Sequence, residues 1–116
     1  MTVNGGTFNI LASGKGSKGI SVGKHLLINE DSGTTLMQIR ATGGVYEDEE
    51  TEEESRCMGI KVTKNMAVTA GTVKVSNSGS KSRGIKVDGQ YYKGPSANVQ
   101  ASVKAAKTVT TMPPMD

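Results

Sequence analysis

Four basic side chains recur at matching positions of the chain and are the residues best suited to binding chemistry. Lys18 and Arg83 each stand immediately before a Gly-Ile pair, and Lys61 and Lys86 each follow such a pair. Arg and Lys form charge-assisted hydrogen bonds with anions. The four residues therefore predict a site for an acidic polymer. Solvated surface residues without a ligand are the alternative interpretation, because Lys and Arg are usually exposed.

Tyr92 is the aromatic residue that we expect at the outer surface. It follows Tyr91 in the sequence, and the alternation of a strand that turns Tyr91 inward turns Tyr92 outward. An exposed tyrosine ring can stack on a sugar ring, whereas packing against the end of the core is the alternative. The predicted carbohydrate-binding residues are thus Lys18, Lys61, Arg83, Lys86 and Tyr92.

The acidic residues are concentrated in residues 47–54, which read EDEETEEE and hold 7 of the 11 Asp and Glu residues. The rest of the chain is therefore distinctly basic, and a basic surface attracts polyanions. Calcium needs several converging oxygen ligands, and Asp48, Glu49 and Glu52 are the predicted ligands if a metal binds. The segment lacks the glycine spacing of an EF-hand loop, so a solvated insertion loop is the favoured interpretation.

The sequence contains no paired nucleophile and base. His25 is the sole histidine and is expected at a turn, while Cys57 is the sole cysteine and is expected to be a small turn or wall residue. A lone histidine has no partner with which to form a catalytic pair. We therefore predict that the chain is not an enzyme. It also lacks the long apolar run of a membrane span and the pattern of a signal peptide.

These candidate residues lie in a repeat that must position them. The phrase GGTFNILASGKGSKGISV at residues 5–22 returns as AGTVKVSNSGSKSRGIKV at residues 70–87, and residues 32–62 carry the same phrase split by the acidic segment. Each copy is too short to bury a core alone, so the copies must stack. Short alternating runs of Val, Ile and Leu between Gly, Ser and Asn predict strands, and no window shows a helical period.

Alignment of the copies by their glycines predicts an all-β fold, a right-handed parallel β-helix of three to four coils with three short strands per coil. A small sandwich of similar strands is the alternative. Residues 1–104 are predicted to form the coils, with an acidic insertion loop at about 45–57, and residues 105–116 a flexible tail. Because the ends of such a stack are open, we expect a fragment of a longer solenoid, with further coils or a second copy as neighbours.

The predicted stacking defines ladders of inward side chains. They are Ile20, Ile60 and Ile85; Val22, Val62 and Val87; Phe8, Met37 and Val73; Ile10, Ile39 and Val75; and Leu26, Met66 and Tyr91. The same alternation places Lys61 and Lys86 side by side on the outer face.

The phrases NGGTFNI, KGISV, SRGIKV and AGTVKV resemble those of bacterial carbohydrate-binding domain-containing proteins, which are right-handed parallel β-helices. The resemblance covers about residues 1–95. It implies a non-catalytic carbohydrate-binding module of a bacterial secreted or surface protein, whose partner is a polysaccharide and not nucleic acid, with calcium as a possible cofactor. A structural solenoid or adhesin stalk segment without a specific ligand is the alternative.

The chain departs from the family pattern before each Gly-Ile pair. Family coils often carry Asp there, whereas this chain has Lys18, Met58 and Arg83. These side chains offer no oxygen ligands for calcium. Lys18 and Arg83 favour instead direct contact with carboxylates of an acidic, polygalacturonate-like polysaccharide.

Overall fold

The computed structural model describes residues 1–47, 49–51, 54–79 and 81–115. Within these residues the secondary structure consists of β-strands, as the alternating apolar runs predict. The strands are β1 (Thr2–Val3), β2 (Gly6–Ala12), β3 (Lys18–Val22), β4 (Leu26–Ile28), β5 (Thr35–Ala41), β6 (Tyr46–Glu47), β7 (Glu54–Ser55), β8 (Met58–Val62), β9 (Met66–Asn77), β10 (Arg83–Gln100) and β11 (Val103–Val109).

Nine of the described strands form a single sheet, and all pairings within it are parallel. One path through this sheet runs β2-β5-β9-β10, a second runs β3-β8-β10-β11, and a third runs β1-β4-β9-β10-β11. The strands β6 and β7 form a separate antiparallel hairpin from the acidic segment.

The prediction of a right-handed parallel β-helix with three to four coils of three short strands is wrong. The nine strands form one continuous curved sheet with the shape of a half-barrel. The predicted corners do not interrupt its long strands, because β9 continues for 12 residues through Gly71 and β10 for 18 residues through Gly94. Gly71 has a φ of 102°, a value that glycine adopts without steric cost, so β9 turns without ending.

Bulges complete the bending of the longest strand. The pairing of β10 shifts register between Val87 and Gln90, and again between Lys93 and Ser96. A bulge bends its strand and increases the local twist. The sheet therefore curves around its core within β10, whereas three short strands per coil were predicted.

The predicted side-chain ladders are present in this sheet. Ile60 of β8 lies opposite both Ile20 of β3 and Ile85 of β10, and the other predicted sets show the same register. Residues in the middle of the sheet, such as Met37 and Met66, are fully buried. The ladders form one hydrophobic core that the curved sheet encloses.

Close backbone contact between strands depends on glycine beside this core. A Cβ on Gly59 would overlap Val75 Cγ1 and lie 2.8 Å from the carbonyl oxygen of Gly84. Gly59 belongs to β8 and Gly84 to β10, so the two strands carrying the basic residues approach each other at these positions.

The C-terminal residues also contact the body of the protein. The coils are predicted to end at residue 104, whereas β11 pairs with β10 as far as Val109. Beyond this strand, Pro113 is buried, and the Asn65 side chain donates a hydrogen bond of 2.9 Å to the carbonyl oxygen of Pro114. Among the described residues, no helix is long and apolar enough to cross a membrane.

Candidate anion-binding site

A shallow hollow on the outside of β3, β8 and β10 gathers the four basic residues that the sequence singled out. Its volume is about 350 Å³. The residues that line it, which we call the basic hollow, are Lys18, Glu54, Ser55, Arg56, Met58, Lys61, Arg83 and Lys86. Five of these eight side chains are basic and one is acidic. The structure therefore brings together the four predicted basic residues and adds Arg56.

Strand register explains why these residues meet. Lys18 lies opposite Met58, which lies opposite Arg83. In the adjoining row, Lys86 lies between Lys61 and Lys104. Neighbouring strands are about 4.8 Å apart, so the second row is a ladder of three lysines that crosses the strands. The repeat places these positions in register. Alternation turns Lys61 and Lys86 outward, whereas Lys18, Met58 and Arg83 are the first residues of their strands and share the inward alternation of the Gly-Ile isoleucines.

Lys18 is committed to the fold. Its ammonium group donates hydrogen bonds to Gly16 O at 2.7 Å, Ser55 Oγ at 3.0 Å and Arg56 O at 2.7 Å. An ammonium group has three donors, so all of them are used. Partial burial lowers the pKa of Lys18 from its usual value. The side chain fastens the end of the acidic hairpin to the sheet, and its contribution to ligand binding is limited to its charge.

Lys61 and Lys86 share one carboxylate. Lys61 Nζ is 2.6 Å from Asp88 Oδ2, and Lys86 Nζ is 2.7 Å from Asp88 Oδ1. Hydrogen bonds from Lys61 and then Lys86 hold the pKa of Asp88 below its usual range. Each lysine retains further donors, since one ammonium group has three. The arrangement shows that two neighbouring lysines of the row can hold a single carboxylate between them.

The two arginines supply the unengaged positive charge of the basic hollow. Among the described residues, no hydrogen bond or ion pair engages the guanidinium group of Arg56 or Arg83. The nearby acidic side chain, Glu54, forms an ion pair of 3.1 Å with Lys81. Arg56 was not predicted as a binding residue because it follows the acidic run and lies outside the repeated phrase. Its placement in the hollow results from the path of the hairpin.

Tyr92 lies apart from the basic hollow. It is half-buried on β10, beyond the bulge, opposite Ala67 of β9 and Val109 of β11. It does not line the hollow. The grouping of Tyr92 with the four basic residues into one surface is therefore not what the structure shows.

The predicted metal ligands fall partly outside the described residues. Asp48 and Glu52 belong to positions that the structure does not describe, while Glu49 is exposed and lines a surface depression with Tyr46 and Glu50. In the part of the chain that is described, no group of three His, Cys, Asp or Glu side chains is arranged to hold a metal ion.

His25 and Cys57 have structural contacts. His25 Nδ1 accepts a hydrogen bond of 3.0 Å from the backbone N–H of Asn65. Cys57 is fully buried, and its thiol donates to the carbonyl oxygen of Ala12 at 3.3 Å. Both side chains join parts of the chain that are distant in sequence.

Comparisons with protein-family models, with curated proteins and with solved structures found no match to this chain. The resemblance of its repeated phrases to carbohydrate-binding proteins therefore stays a prediction from those phrases, and the geometry of the basic hollow is the basis for a functional proposal.

Proposed function

We propose that this chain is a non-catalytic carbohydrate-binding module of a secreted or surface protein, and that it holds an acidic polysaccharide in the basic hollow. The observation that carries the proposal is the convergence of Arg56, Lys61, Arg83 and Lys86 on one outer surface, with both guanidinium groups unengaged by the described residues. Such a surface attracts anions.

The residue types suit carboxylates in particular. A guanidinium group presents a planar fork that can bind a carboxylate through two parallel hydrogen bonds. The lysine row extends this surface at steps of about 4.8 Å across the strands, and Asp88 already occupies a carboxylate position between Lys61 and Lys86. A polymer with regularly spaced carboxylates can therefore engage Arg83 and the lysine row together.

Two features bear on the kind of polyanion. The basic hollow has no aromatic side chain in its lining, whereas proteins that hold single-stranded nucleic acid commonly stack bases on aromatic rings. The hollow is also shallow, so its charges stay in contact with water. Binding should therefore be weak for a single sugar unit and sensitive to salt, because exposed charges are screened.

The test is binding to polygalacturonate, heparin, neutral cellulose and single-stranded DNA by affinity chromatography and titration calorimetry. We expect retention on polygalacturonate that moderate salt abolishes and a chelator leaves unchanged. The double variant Arg83→Gln, Lys86→Gln should weaken binding by about tenfold or more, since each charge-assisted contact contributes about 1 kcal/mol or more. The matched control is Lys24→Gln, Lys107→Gln, which removes the same charge at exposed positions outside the hollow.

Several results would contradict the proposal. Retention on none of the polysaccharides would remove the binding function, and equal losses in the two double variants would show attraction to net charge alone. Preference for DNA over polygalacturonate would identify a different partner. Loss of binding when a chelator is added would indicate that a metal ion held by the acidic segment is needed for binding. Release of cleaved sugars would show that the chain is a catalyst.

A further inference from the structure

The strand β2 is an unprotected edge of the sheet. It pairs with β5 on one side and with no described strand on the other. Its seven residues, GTFNILA, include no charged residue and no proline. Exposed edge strands of this kind pair readily with further strands, and natural proteins usually protect them with lysine, proline or bulges.

The other long edges of the sheet carry such protection. The edge strand β3 begins with Lys18, and β11 carries Lys104 and Lys107. The free edge of β10 is formed by residues 96–100, and Pro95 and the bulge between Lys93 and Ser96 come immediately before it. The contrast between these edges and β2 is the reason to assign β2 a partner.

Burial along the ladders indicates that an apolar surface is left open at this edge. Met37 and Ile39 of β5 are 0% and 1% exposed, whereas Phe8 and Ile10, their register partners on β2, are only partly buried. Leu11, on the outer face, is 60% exposed. The core is thus closed on the β5 side of these residues and open on the other side.

The backbone hydrogen bonds define which groups remain available. Gly6 N donates to Thr34 O and Ala12 O accepts from Thr42 N, so the even-numbered residues of β2 direct their N–H and C=O groups toward β5. Because these groups alternate along a strand, Thr7, Asn9 and Leu11 direct theirs away from the sheet. They can therefore hydrogen-bond to an added strand.

We propose that the added strand is β2 of a second copy of this chain, antiparallel to the first across a twofold axis at Asn9. This register opposes Asn9 to its own symmetry mate and Thr7 to Leu11 as hydrogen-bonded pairs. It also opposes Phe8 to Ile10 as a non-hydrogen-bonded pair, in which side chains approach most closely. Aromatic and β-branched residues stabilise such pairs. Two uncharged copies of β2 would thereby join their open cores without bringing like charges together.

A closed dimer follows from this geometry. A twofold contact uses the same surface on both copies, so pairing at β2 consumes the available edge and stops at two chains. The inference is independent of the basic hollow, which lies on β3, β8 and β10.

The first test is sedimentation velocity over a range of concentrations. We expect a monomer–dimer equilibrium, with Asn9→Lys shifting it to monomer because two lysines would meet at the axis. Gln38→Lys is the matched control: it lies beside Asn9 in the same outer row but on β5, which is paired on both sides. A monomer at all concentrations, growth beyond a dimer, or equal effects of the two variants would overturn the proposal.

A cysteine trap tests the register. Asn9→Cys places two thiols on hydrogen-bonded partners, whose Cα atoms lie about 5.5 Å apart, within the range that a disulfide spans. Leu11→Cys is the control, because position 11 opposes position 7 and its own mate lies about four residues further along the strand. Mild oxidation should link the Asn9→Cys chains and leave the Leu11→Cys chains single. Equal linkage of both, or linkage of Leu11→Cys alone, would refute the Asn9 axis. Cys57 is fully buried in the parent chain and is not expected to compete for the oxidant.

Discussion

Replacement of Gly59 by Ala tests whether the close approach of β8 and β10 holds the fold and the basic hollow together. The added methyl group would overlap Val75 Cγ1 and lie 2.8 Å from Gly84 O. Carbon atoms make favourable contacts at about 3.5–4.0 Å, so Val75 must move by more than an ångström. The Gly84 oxygen belongs to the backbone of β10 and cannot move without widening the space between the two strands.

The expected cost follows from these two displacements. Extra methyl groups in packed cores typically cost about 1–3 kcal/mol, and Gly59→Ala should reach the upper end, about 3 kcal/mol, because side chain and backbone must both yield. For a chain of this size, 1 kcal/mol corresponds to about 4 °C in Tm. We therefore expect a decrease in Tm of about 12 °C. Retention on polygalacturonate should weaken as well, because Lys61 lies on β8 and Arg83 on β10, and the space between these two strands would widen.

Gly23→Ala is the matched control, because a Cβ on Gly23 has no heavy atom within 4 Å and its φ is not in the left-handed region. Its free energy of unfolding should stay within about 0.5 kcal/mol of the parent. Chemical denaturation followed by circular dichroism measures both variants. If the free energies of unfolding of Gly59→Ala and Gly23→Ala differ by less than 1 kcal/mol, the argument from close strand approach is refuted.

Three further outcomes follow from contacts around the basic hollow. Lys18→Met should lower the free energy of unfolding by roughly 1–2 kcal/mol, because the three hydrogen bonds of the ammonium group are lost. Chemical denaturation measures this loss against Lys24→Met, a control at an exposed position. Equal effects of the two substitutions would contradict the role of Lys18 in fastening the hairpin to the sheet. Asp88 has a lowered pKa in the folded protein, so its stabilising effect is present above its ordinary pKa of 3.8 and is lost as pH falls through the folded value. When pH is lowered, the free energy of unfolding should therefore fall less steeply for Asp88→Asn than for the parent chain. An unchanged dependence on pH would argue against the carboxylate shared by Lys61 and Lys86. Ile60→Ala should cost about 3 kcal/mol at the fully buried centre of its ladder, whereas a cost below 1 kcal/mol in urea denaturation would place Ile60 outside the core.

The strand register was predictable because it rests on local features. Apolar residues alternate with a period of two, and the glycines of each repeated phrase align equivalent positions. This was enough to pair Ile20 with Ile60 and Ile85, and to bring Lys61 beside Lys86. The overall architecture was not predictable in the same way. Glycine and bulges permit a strand either to end or to bend, and the sequence does not distinguish the two outcomes.

The sequence by itself determined which side chains turn inward and that Lys61 and Lys86 share a face, since alternation and repetition act over a few residues. Only the tertiary structure decided what those basic residues do. Lys18 is fastened to Arg56 O, 38 positions away, and Asp88 is held between Lys61 and Lys86. Such contacts depend on where the acidic hairpin returns and on how far side chains reach across strands. Neither is encoded in a local pattern, because each is set by the packing of the whole sheet.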